Sequence, residues 1–262
     1  MAAGVSQSHP RRRFRLAYLL LALVVAGAVA VFVVLETDSS TTTAGGSQAE
    51  EAWGTFQPAG LTQDRIQQIA LHVSATYRMP SGHQLVSVSA SIPPVYQNDL
   101  KITQYILSYN DGGQTSYQAV PISANNALYE MCGLGPRCSI DSGKATPERL
   151  RLLRREALEL ALYTFHYTGV GSVVTFLPPK NGEQPQWVFL FLRTQFEQQG
   201  ILSKPLSAIL SEPTPPPAAA IPATEAATID GITEPDLYRF RYTSDQQGGV
   251  LLVFDPIAQS AG

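Results

Sequence analysis

Residue types able to do chemistry are sparse in this sequence, and their spacing thins them further. Of the four histidines, His9, His72, His83 and His166, no two stand at metal-ligand spacing or in a His-Glu-x-x-His pattern. There is no Gly-x-Ser-x-Gly elbow, no Ser-x-x-Lys pair, no Walker loop and no dinucleotide fingerprint. Asp99, Asp111, Asp141 and Glu183 lie in expected loops. A glycosidase needs two carboxyl groups at a set separation in space, which sequence does not give, and loop Asp residues mostly form turns. Tyr105, Tyr109 and Tyr117 can line a ligand groove, but aromatics are equally ordinary strand residues. No catalytic, metal-binding or cofactor-binding residue is assigned, and no cofactor is expected.

Two groups remain. Cys132 and Cys138 are the only cysteines, in Met-Cys-Gly-Leu-Gly-Pro-Arg-Cys-Ser. In an oxidising compartment they are expected to form a disulfide, worth about 2–2.5 kcal/mol by loop-closure entropy. Gly133, Gly135 and Pro136 suit the tight return of the chain. Free thiols or a redox-sensitive pair are the alternatives. Arg151, Arg154 and Arg155 share one side of an expected helix. The plain reading is a solvated helix face; the functional one is a patch that docks an anion or a partner.

The elements around these groups follow from periodicity. Thr62 is the expected cap of a first helix with apolar residues at Ile66, Ile69, Ala70 and Val73, ending near Tyr77. Val86, Val88, Ala90 and Ile92 alternate with serines, as in a half-buried strand. Residues 102–109 and 114–122 flank Asn110-Asp111-Gly112-Gly113, a hairpin signal. Thr146 and Pro147 open a second helix whose apolar stripe is Leu150, Leu153, Ala157, Leu160 and Ala161. Ser172–Leu177 and Trp187–Leu192 are strands, the latter apolar on both faces and so expected at the centre of a sheet. Residues 203–210 suit a short helix. Residues 211–228, rich in Pro and Ala, read as an extended surface excursion. Leu237–Tyr242 and Val250–Phe254 form a last hairpin, whose aromatic face needs cover and is expected to join the main sheet. A weak echo links Leu162-Tyr-Thr-Phe-His-Tyr-Thr168 with Leu237-Tyr-Arg-Phe-Arg-Tyr-Thr243.

The compartment is read from the other end of the chain. Residues 16–35 carry no charge, and Arg11, Arg12, Arg13 and Arg15 precede them. At roughly 1.5 Å per residue such a helix spans the ~30 Å core of a bilayer. The arginines keep the N-terminal side in the cytoplasm. A cleaved signal peptide is the rival, with small-x-small sites at Ala26–Ala28 and Ala28–Ala30. The apolar run continues past them through Val31, Phe32, Val33, Val34 and Leu35, which favours a retained anchor.

The expected organisation is a cytoplasmic tail (1–15), a transmembrane helix (16–35), a flexible stalk (36–55) and an extracytoplasmic domain (56–258) with the Pro/Ala-rich loop 211–228. That domain is expected to be α+β, with two main helices on a largely antiparallel sheet of about six or seven strands. Beyond residue 35 the chain carries 14 basic and 21 acidic residues, a net charge of −7, which disfavours nucleic acid as a partner. The expected function is a binding or scaffolding component of a cell-envelope assembly, with the membrane and another envelope protein as partners. The alternatives are an extracytoplasmic hydrolase acting on cell-wall or surface polymer, and a sensor that signals through a membrane partner.

Overall fold

The computed structural model describes residues 55–79, 81–93, 95–97, 100–111, 114–139, 146–180, 183, 185–210, 221–244 and 249–257. The tail, the apolar run and nearly all of the stalk lie outside the described residues, as do 211–220. No helix among the described residues is long and apolar enough to cross a membrane.

The fold is α+β. Among the described residues nine strands form one mixed, mostly antiparallel sheet: β1 (Ser87–Ser91), β2 (Val95–Gln97), β3 (Leu100–Asp111), β4 (Gln114–Pro121), β5 (Asn126–Cys132), β6 (Ser172–Phe176), β7 (Trp187–Leu192), β8 (Leu237–Ser244) and β9 (Val250–Pro256). Their order is β1-β5-β6-β7-β8-β9-β3-β2, with β4 also paired to β3. Only β5–β6 and β3–β9 run parallel. Among the described residues there are four helices, the two long ones expected and two shorter ones: α1 (Thr62–Thr76), α2 (Pro147–Tyr167), α3 (Arg193–Gln198) and α4 (Ala223–Thr233). The short helix expected within 203–210 is a single 3₁₀ turn, Leu206–Ala208.

Period-two alternation divides the core between the two faces of the sheet. Ala127, Tyr129 and Met131 of β5, Val173 of β6, and Phe189 and Phe191 of β7 face the helices. All four helices contribute to that cluster, through Ile66 and Val73 of α1, Leu158 and Leu162 of α2, Phe196 of α3 and Ile229 of α4. The residues between them, Leu128, Val174, Val188 and Leu190, join Ile102, Tyr105, Phe240, Val250, Leu252 and Phe254 in a second cluster. Every buried member of that second cluster comes from a strand. The doubly apolar β7 is therefore central, as expected, with helices over one face only among the described residues.

Local chemistry fixes the helix ends. Thr62 is the first residue of α1 and Leu61 its cap, with the Leu61 N–H donating to Asp64 Oδ2 at 3.0 Å. The Thr146 hydroxyl accepts from Arg149 N at 3.2 Å and Pro147 follows, as the sequence predicts for α2. Leu150, expected on the apolar stripe, lies at its exposed rim. At the far end the Arg193 guanidinium donates to the carbonyls of Phe165, Thr168 and Val170, supplying donors that a helix C-terminus lacks. Residues 162–168 thus end a helix while 237–243 form a strand, so the sequence echo is not a structural repeat.

The C-terminal hairpin lies inside the sheet: β8 pairs with β7, and β9 with β3. The expected excursion is corrected over 223–228, which belong to α4. Pro222 precedes the first turn, and Glu225, Ile229 and Thr233 are buried against the rest of the protein. Because Phe254 has no exposed surface and belongs to the strand-built core, Phe254→Ala should cost about 3–5 kcal/mol in a denaturant titration. Amide exchange in β6 and β7 should accelerate with it; unchanged exchange there would mean that the hairpin is only an appendage.

Candidate functional site

Among the described residues, buried ionisable side chains come together where the end of α1, the middle of α2 and the start of α4 meet. Arg155 has no exposed surface. Its Nε donates to Glu225 Oε1 at 2.7 Å, and its Nη1 donates to Tyr77 Oη at 2.8 Å and to Glu159 Oε2 at 3.2 Å. The Tyr77 hydroxyl donates in turn to Glu159 Oε2 at 2.6 Å. Helical spacing sets the Arg155–Glu159 pair, four residues apart on α2. Glu225 comes from the first turn of α4, where a carboxylate also suits the helix dipole. Arg151, one turn before Arg155 along α2, and the adjacent Arg154 clasp the two oxygens of Asp230 through Nη2 at 3.0 Å and Nη1 at 3.1 Å.

This corrects the reading of the arginine face as solvated. It turns toward α4, and Asp230 and Glu225 take up the charges that the sequence reading left for water or for a partner. Arg155 also pairs within its own helix, with Glu159, whereas Arg151 reaches across to Asp230 on α4.

Glu156 is the anomaly. It is fully buried on α2 beside Glu159, and neither of its carboxyl oxygens has a hydrogen-bond partner. Burial, reinforced by Glu159, pushes its pKa well above the ordinary carboxylate range. Burial also raises Glu159, to about 7, against the pull of Arg155 and the Tyr77 hydrogen bond. Burial next to Glu159 raises Tyr77. Desolvation alone would lower Arg155; Tyr77, Glu159 and Glu225 around it reverse the sign. A carboxyl group near 7 beside a tyrosine is a pattern used for proton transfer. Here Tyr77, Arg155, Glu156 and Glu159 are all buried to within 2 %, so the cluster has no face toward a substrate. Its chemistry is that of an interlock between helices.

The other residues that the sequence singled out do not converge. The disulfide joins Cys132, the last residue of β5, to Cys138, with Cα atoms 4.4 Å apart. The left-handed backbone falls on Arg137 and Cys138 and not on the neighbouring glycines. Tyr105 is buried and stacked on Phe254, while Tyr109 and Tyr117 are exposed. Tyr109 opposes Ser116 and Tyr117 opposes Ser108, so the last two point to opposite faces of the β3–β4 hairpin and form no groove together. His72 stacks on Phe56 at 3.8 Å, and burial lowers its pKa; His166 meets Tyr167 edge-on and is lowered in the same way. Glu183 lies on the surface, 4.0 Å from Lys180. Asp99, Asp141 and His9 lie outside the described residues. No group of three His, Cys, Asp or Glu side chains among the described residues is placed to hold a metal. Compared with protein families, with curated proteins and with solved structures, the chain matches none.

Two outcomes follow from the cluster. Removing the guanidinium strands buried acceptors, so Arg155→Met should cost about 3–5 kcal/mol in chemical denaturation. Glu156 and Glu159 have folded pKa values above their unfolded ones. Burial likewise raises Asp236, to about 7, opposed by Gln195. The stability these three groups contribute is complete below their unfolded pKa values and is lost as pH rises through the folded ones. The melting temperature should therefore fall between pH 5 and pH 8. Glu156→Gln should raise it at pH 8 and leave it nearly unchanged at pH 5; an equal loss at both would show that the neutral carboxyl makes a bond of its own.

Proposed function

We propose that the protein is a single-pass, membrane-anchored component of a cell-envelope assembly, with a binding or scaffolding role played by its extracytoplasmic α+β domain. The observation that carries this reading is the uncharged run 16–35 with Arg11, Arg12, Arg13 and Arg15 on its N-terminal side. A bonded Cys132–Cys138 pair supports it, because structural disulfides persist outside the reducing cytosol. Binding is favoured over hydrolysis because the ionisable cluster with the strongest perturbation is sealed from solvent and spent on holding helices together.

The test is topological and biochemical. The full-length protein should stay in the membrane pellet after alkaline carbonate, and protease added to intact cells should digest the region after residue 50. Cross-linking in whole cells should then recover it with an envelope protein. Release into the medium with an N-terminus near Val31 would overturn the anchor. Turnover of wall polymer by the purified full-length chain would overturn the binding role.

A further inference from the structure

The ring that joins Cys132 to Cys138 closes through a turn its residues do not suit. The Ser139 N–H donates to the carbonyl of Pro136 at 3.1 Å, and φ is 53° at Arg137 and 60° at Cys138. Those values define a type I′ turn over 136–139, in which both central residues are left-handed. Such turns favour Asn, Asp and Gly, because a side chain in that region crowds the backbone. Here Arg and Cys hold both central positions, while Gly133 and Gly135 of the same loop do not. The return of the chain also buries the Ser139 hydroxyl without a hydrogen-bond partner, a further cost.

The two Cα atoms lie 4.4 Å apart, at the short end of the span a disulfide bridges. So small a ring removes little entropy from the unfolded chain. The left-handed pair and the stranded hydroxyl work against even that gain. Besides the bond, the Gly133 N–H donates to the Cys138 carbonyl and the Gly135 N–H to the Ser139 carbonyl, both at 2.8 Å. The sheet does not depend on this ring. Cys132 ends β5 opposite Ser87, the first residue of β1, and β6 pairs with β5 only as far as Glu130. Residues 133–139 belong to no strand. Both cysteines are half-buried, and Leu134, Pro136 and Arg137 beside them are exposed, so a reagent can approach the bond without unfolding the domain.

We propose that Cys132–Cys138 is an exchangeable disulfide, opened in the folded protein by a dithiol reductant, which releases the hairpin 133–139. One thiolate of the dithiol attacks a cysteine Sγ. A sulfur–sulfur bond to the reductant forms as the Cys132–Cys138 bond breaks, and the electron pair leaves on the other cysteine as a thiolate. The reductant's second thiolate then displaces the first cysteine and closes the reductant's own disulfide. The dithiol loses two electrons and the protein gains them; the dithiol's two protons pass through water to the two cysteines. A dithiol is the fitting class, because a cysteine freed on the same hairpin would expel a lone thiol before a second one attacked. Once the bond is open, Arg137 and Cys138 can leave the left-handed region and Ser139 can reach water, which favours the reduced side. Cys132 keeps its place in β5. The proposal does not rest on the envelope reading: an anchored protein whose bond resists the dithiol would defeat the exchange alone.

The full-length chain purified in detergent tests this. Dithiothreitol without denaturant, followed by a maleimide, should label both thiols and leave the far-ultraviolet circular dichroism unchanged. Mixtures of reduced and oxidised dithiothreitol then read the equilibrium. Arg137→Gly relieves one left-handed position and should need about 5-fold more reduced reagent, relative to oxidised, for half reduction. Arg137→Ala removes the same charge but keeps the crowding, so it should stay within about twofold of the parent. The joint Cys132→Ser, Cys138→Ser variant should melt within about 2 °C of the parent, whereas an unstrained ring of this size would be worth about 4–10 °C. Free thiols before reduction, or a bond that opens only in denaturant, would overturn the proposal. So would Arg137→Gly reduced as readily as Arg137→Ala, or a joint serine variant that loses the full 4–10 °C expected of an unstrained ring, by about the same estimate.

Discussion

A guanidinium with no exposed surface has to be matched wherever its donors point, and in this fold Arg155 is matched by three helices at once. Tyr77 closes α1, Glu159 belongs to α2 and Glu225 opens α4. Few alternative arrangements of those helices would satisfy the charge, because leaving a buried ion unpaired costs several kcal/mol. The pairs of Arg151 and Arg154 with Asp230 lie at the exposed margin of the same contact and add alignment more than energy. The apolar packing of α4 is slight, Ile229 and the partly buried Ile232 with Ile221 just before the helix. The ionic contacts set where along α2 it stops.

How much of this was legible in the sequence depended on the range of the cause. Signals local to a few residues were read correctly: the Thr146-Pro147 start of α2, the β3–β4 hairpin, the doubly apolar β7 and the pairing of Cys132 with Cys138. The placement of the C-terminal hairpin followed from a need for cover, and the sheet supplies that cover on both sides of it. What failed depended on distant partners. Ala223–Thr228 looked like low-complexity linker because its composition has little to bury; Glu225 and Asp230 make it a helix with a place to dock. The arginines looked solvated for the complementary reason, their acceptors lying about seventy or more residues further on. Nothing in the spacing of Glu156 and Glu159 signals that both are buried.

The two faces of the sheet differ in kind. Helices cover the first, whereas the second is built by strands of every intermediate position in the order, from β5 through β9 to β3. Its one buried hydroxyl without a partner among the cluster's tyrosines is that of Tyr105, and burial raises that phenol's pKa. Thr175, on the helix side of β6, likewise keeps a buried hydroxyl without a partner. Both are small polar costs accepted within well-packed surroundings.

The parallel pairing of β3 with β9 has a consequence for how the protein is made. Ile102 meets Val250 and Leu107 meets Phe254, so contacts at the heart of the sheet join positions nearly 150 residues apart. A ribosome adds residues in order, and β3 is complete long before its neighbour exists. Until β9 emerges, Ile102, Tyr105 and Leu107 have no partner strand on that side. The sheet therefore closes on that side only after β9 has been made, at the slow rate expected of high contact order. During that interval the nascent chain carries an open apolar strand prone to aggregation. A holding factor that shields extended apolar segments would bear directly on the yield of this protein.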